Sequence, residues 1–130
     1  MKTLVATTLA LAISTPALAQ KTGRYSPEIE RAYVARLVWA AVDKKCTSDL
    51  KYNFDTGRKL EQQAGFGDDE RPNMEVRERA FNAFTKRMAE AAVRKNVNVN
   101  HIDANTACLV LLYTFGPNGT WIKGLVEEKP

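Results

Sequence analysis

Phe54-Asp55-Thr56-Gly57 is the local setting in which an aspartate works in peptide hydrolysis. That chemistry needs two carboxylates sharing one proton at about 3 Å. The chain carries a single copy, inside a helical pattern and followed at once by Arg58 and Lys59. Asp55 therefore reads as a helix cap and not as a catalytic acid. Asp68-Asp69-Glu70 bunches three carboxylates, whereas calcium loops place their oxygens at alternating positions around a glycine turn. A solvated loop is the expectation there. His101 is the only histidine. It has no nucleophile elbow to serve, and one His with two Cys falls short of a structural zinc site. No catalytic, metal-binding or cofactor-binding residue is assigned, and no cofactor is expected. Asn118-Gly119-Thr120 fits the N-glycosylation pattern and, in a bacterium, is simply a turn.

The two cysteines, Cys46 and Cys108, carry more information. They do not form a CxxC pair, so redox work has no signature. An even count in an oxidising compartment favours one disulfide. The compartment is set by the first twenty residues. Lys2 is the only charge before Lys21, Leu4 to Ile13 is apolar, and Ser14-Thr15-Pro16 breaks the run. Ala17-Leu18-Ala19 then supplies small residues at the cleavage positions. This is the tripartite pattern of a secretory signal peptide, with cleavage after Ala19. The apolar stretch is shorter than the about 20 residues that a membrane span needs. The expectation is a signal peptide over 1–19 and a single soluble helical domain over 20–130, located in the periplasm, with no transmembrane segment in the mature chain.

The domain holds 111 residues, enough for one modest core. Cleavage removes one lysine and leaves 18 basic against 15 acidic residues. The charges are interspersed, as in Glu75-Val76-Arg77-Glu78-Arg79, and not gathered on one face as in a nucleic-acid binder. No nucleic-acid partner is expected.

The elements that must position these side chains are helical. Ser26-Pro27-Glu28 is a helix start: a capping hydroxyl, a proline at the first position and a carboxylate at the positive end of the dipole. Ile29, Tyr33, Leu37 and Ala41 follow at i+4 with Val34 and Val38 beside them, which predicts a helix over Pro27–Lys45. Trp39 lies off that stripe. A second helix is expected over about Asp49–Ala64, burying Leu50, Phe54 and Leu60. Gly57 weakens it by about 1 kcal/mol relative to Ala, which makes Asp55 the alternative start. Phe81, Phe84, Met88, Ala91 and Ala92 predict a third helix over 73–95. Asn96 to Asn100 reads as a loop. A fourth helix through Ala107–Tyr113, capped by Asp103 or Asn105, is apolar on nearly all sides and is expected to be the central element. Thr120 to Val126 reads as a last short helix, with a loose tail after it. The aromatic residues at helical spacing read as core. The fold class is all-α, a small four- to five-helix bundle stapled by Cys46 and Cys108.

The function expected of such a chain is that of an exported, non-enzymatic binding or interaction protein whose partner is another protein. It is either chaperone-like or an immunity or inhibitor protein. Trp39 and Trp121 are the candidate interface residues, since exposed aromatics mark interfaces. A small-ligand or lipid carrier and an enzyme with an unrecognised site are the alternatives. In outline the chain is similar to periplasmic acid-stress chaperones, which also use one disulfide across a small bundle, and to small periplasmic immunity proteins. No diagnostic residue ties it to either group, so no functional residue is carried over.

Overall fold

The computed structural model describes residues 25–66, 73–98 and 103–130. Residues 1–19, which the sequence reads as a signal peptide, Asp68-Asp69-Glu70 and His101 lie outside the described residues. The chain runs α1 (Pro27–Lys45), β1 (Leu50–Tyr52), α2 (Phe54–Gln63), α3 (Met74–Arg94), α4 (Ala104–Phe115) and β2 (Val126–Glu128).

The α1 start follows the sequence pattern. The Ser26 hydroxyl accepts from the Ile29 amide at 3.2 Å, and Glu28 and Glu30 sit in the first turn with Lys44 and Lys45 in the last. Charges so placed complement the helix dipole. The helix buries Ile29, Ala32, Tyr33, Val34, Ala35, Val38 and Val42, and packs against α2, α3, α4 and β1. It is the central element. α4 does bury Cys108, Val110, Leu111, Thr114 and Phe115, yet its far side is uncovered and Leu109 is 44% exposed. An all-round apolar helix was expected to be enclosed, but only one side of α4 receives neighbours. Its N-cap is Asp103, which accepts from the Thr106 amide at 2.8 Å.

Cys46 caps the end of α1, its amide donating to the Val42 carbonyl at 2.8 Å, and it is bonded to Cys108 in α4 with a Cα separation of 5.7 Å. The disulfide thus joins the C-terminal end of the central helix to the second turn of α4.

Two expectations fail for a shared reason. The segment taken as the start of the second helix is a strand, and so is the tail taken as loose. Leu50, Lys51 and Tyr52 pair antiparallel with Glu128, Glu127 and Val126. The Asn53 amide donates to the Leu125 carbonyl at 2.8 Å, its side-chain amide to Glu127 at 3.1 Å, and the Lys129 amide to the Asp49 carbonyl at 3.0 Å. The Lys129 ammonium also meets the Thr47 carbonyl. A two-stranded ribbon formed across more than 70 residues leaves no local pattern, since its partner strand is what stabilises each half. Asn53, not Asp55, caps α2, accepting from the Thr56 amide at 3.1 Å. Gly57 has a packing reason. A Cβ there would overlap the Tyr52 hydroxyl and come within 3.1 Å of the ring carbon that bears it. The helix accepts a poor helix former so that the strand's tyrosine can lie against it.

The expected helix over Thr120–Val126 is also replaced. The amides of Thr120, Trp121 and Gly124 donate to the carbonyls of Tyr113, Thr114 and Gly116. The chain folds back along the end of α4 and satisfies carbonyls that the helix leaves free. Gly124, at φ +83°, makes the turn into β2. Ile122, Leu125 and Val126 are buried all the same.

Candidate functional site

The chemistry-bearing motifs stay apart. Asp55 lies in the first turn of α2, exposed, and pairs with Arg58 at 2.7 Å. Among the described residues, no three His, Cys, Asp or Glu side chains lie close enough to hold a metal ion. No buried side-chain nitrogen or oxygen among them lacks a hydrogen-bond partner.

The outstanding surface feature is aromatic. Trp39 on α1 is 47% exposed and Phe54, at the start of α2, is 55% exposed. Their rings meet edge to face at 5.9 Å, and Phe54 meets Tyr52 in the same manner at 5.0 Å. With Arg36, Ala40, Arg58 and Glu61 these rings border a surface recess of about 370 Å³. Arg36 is held in place: it pairs with Glu61 at 2.7 Å, and its guanidinium lies over Phe66 at 5.1 Å. Phe66 packs on buried Tyr33, whose hydroxyl accepts from the Asn73 amide at 3.1 Å. The exposed rings therefore stand on a braced frame of α1, β1 and α2.

Sequence reasoning marked Trp39 from its place off the stripe, but put Phe54 in the core. It missed Tyr52, Arg36 and Arg58. The signals that could have found them are Arg36 one helical turn before Trp39, and the alternation Tyr52–Phe54, which puts two aromatics on one side of an extended segment. Phe81, also expected in the core, is 51% exposed. Trp121, the other candidate interface residue, is half-buried. It packs on Phe115 at 5.7 Å, with Arg87 across its ring at 4.9 Å.

Burial pushes the Tyr52 phenol up to about 12, with the Glu61 carboxylate adding to the rise and Arg36 opposing it. A phenol raised in the fold above its ordinary value of 10.0 contributes stability that is fully present below pH 10 and is lost as the pH climbs towards 12. Tyr52→Phe is therefore expected to flatten the alkaline loss of stability between these limits and to remove one late phenol from an absorbance titration. A variant that unfolds with the wild-type alkaline profile would show that Tyr52 is as well solvated as a free tyrosine.

A second surface feature lies on the other side of Ala40, which borders both. Here α1, α3 and α4 enclose an open groove of about 510 Å³. Val110 and Leu111 form its buried floor, Phe84 and Met88 its half-buried wall, and Lys44 and Lys45 one end. No described helix is long and apolar enough to cross a membrane. No protein-family model, no curated protein and no solved structure matches this chain.

Proposed function

We propose that this protein is an exported, non-enzymatic binding protein that docks another protein through Trp39 and Phe54. The observation that carries this reading is the pair of half-exposed rings in contact with each other on a braced frame. Trp, Tyr and Arg dominate the residues that supply binding energy at interfaces, and Trp39, Tyr52, Arg36 and Arg58 gather around one recess. Preformed rings lose little freedom on binding, which lowers the cost of association. Export rests on the tripartite pattern of residues 1–19 and agrees with a disulfide, which persists in oxidising compartments.

The test is a photo-crosslinker in place of Phe54, activated in the native compartment and read by mass spectrometry. One partner captured near one-to-one supports a dedicated immunity or inhibitor role, and many partners rising under stress support a chaperone. Trp39→Ala is then expected to weaken binding of the captured partner by about 30-fold, the effect of losing a hot spot worth about 2 kcal/mol. Binding within twofold of wild type, or no crosslink at position 54, refutes the docking face.

A further inference from the structure

We propose that the groove between α1, α3 and α4 binds the alkyl chain of a free fatty-acid carboxylate, with Lys44 and Lys45 holding the head group. This site is separate from the protein-docking face and does not depend on it.

The groove has the chemistry of an amphiphile site. Its volume of about 510 Å³ falls within the range of small-molecule sites. Its floor and wall are hydrocarbon and thioether: Val110 and Leu111 below, Phe84 and Met88 beside them. The charged side chains that line it are Lys44 and Lys45, both from the last turn of α1. Among the described residues neither lysine forms an ion pair, while Arg36 and Arg58 on the neighbouring face are both neutralised by carboxylates. Two unpaired cations at one end of an apolar trough complement a ligand with one anionic head and one apolar tail. Lysine suits this role because its stem packs along apolar surface while its ammonium stays in water. The carboxylate would then be bound at the rim, where it keeps part of its hydration and avoids the cost of a buried charge. A volume of about 510 Å³ suits a single chain better than a two-chain lipid.

The experiment is calorimetric titration of the purified protein with octanoate, decanoate and dodecanoate below their micelle concentrations. Dodecanol and dodecyltrimethylammonium serve as head-group controls. Dodecanoate is expected to bind with micromolar affinity, and affinity should climb with chain length by at most about fourfold per methylene. The double variant Lys44→Glu/Lys45→Glu should weaken dodecanoate at least tenfold and leave dodecanol within twofold. Ala89→Trp, at an exposed position on the groove wall, should weaken both by blocking the trough. Circular dichroism checks that each variant folds, and the charge variant decides alone if Ala89→Trp does not. Absence of dodecanoate binding, tighter binding of the cationic amphiphile, or affinity untouched by the charge variant overturns the proposal. So does uptake onto anionic vesicles without uptake of the free acid. A loss caused instead by Trp39→Ala would move the ligand to the aromatic recess and overturn it as well.

Discussion

Removing the disulfide, by Cys46→Ala/Cys108→Ala or by reduction, is expected to lower stability by about 4 kcal/mol on the chain-entropy model. The size follows from the sequence separation of 62 residues, which the bridge closes into one loop in the unfolded chain. A domain of this kind has roughly 5–15 kcal/mol of stability in all, so the bridge decides whether the fold persists at elevated temperature. The shift in melting temperature should be on the order of 15 to 25 °C. Both sulfurs are buried, and Cys46 also ends α1. Double substitution therefore adds a small cavity term that reduction does not, and comparing the two separates chain entropy from packing. Equal melting temperatures for oxidised and reduced wild type would mean that the reduced chain retains the loop by other contacts. The bridge joins the chain neighbours of two groove-lining residues, Lys45 and Ala107. Loosening it is expected to separate the end of α1 from the start of α4, and so to weaken ligand binding there before the rest of the fold is lost.

What the sequence shows and what it hides divide along the range of the interaction responsible. Ser26-Pro27-Glu28 and Asp103 begin α1 and α4 as read, because a cap is an interaction over three residues. The i+3/i+4 spacing of Phe81, Phe84, Met88, Ala91 and Ala92 set α3 for the same reason, although Phe81 itself is exposed. The strand at Leu50–Tyr52 stayed hidden because its partner, Val126–Glu128, is remote. The turn over Thr120–Val126 mimicked a helix because Trp121, Ile122 and Leu125 fall at helical spacing, while the amides of Thr120, Trp121 and Gly124 turn to carbonyls at the end of α4. The cysteine pairing was legible, since two cysteines admit one internal bridge. The aromatic recess was half legible. Trp39 stood off its helical stripe, but the exposure of Phe54 depends on where β1 hands the chain to α2, and that point is fixed by the Asn53 cap and the remote ribbon. The groove left no sequence signal. It arises from the spacing of three helices, and its floor residues Val110 and Leu111 look like any other core positions.

Phe115→Ala is expected to cost about 3–5 kcal/mol, the range for deleting a buried aromatic side chain. Phe115 is 0% exposed and is the last residue of α4. Its ring stacks on Phe84 of α3 at 6.0 Å and meets Trp121 at 5.7 Å. It therefore joins the bundle to the returning C-terminal segment, whose Ile122, Leu125 and Val126 reach the same core. A cavity at this junction has two ways to relax, and they give different signals. If the bundle holds, Trp121 loses its partner and the segment lifts, taking β2 away from β1. Fluorescence of a Trp39→Phe background, which reports Trp121 alone, should then shift to the red in the native state while helical circular dichroism is kept. If the segment instead collapses into the space, Trp121 stays half-buried and the cost falls to the low end of the range. Phe115→Leu, which keeps much of the volume, should restore most of the stability in either case. A loss below about 1 kcal/mol for Phe115→Ala would contradict this packing, because a large ring with no exposure cannot be removed so cheaply unless the three elements do not meet at it.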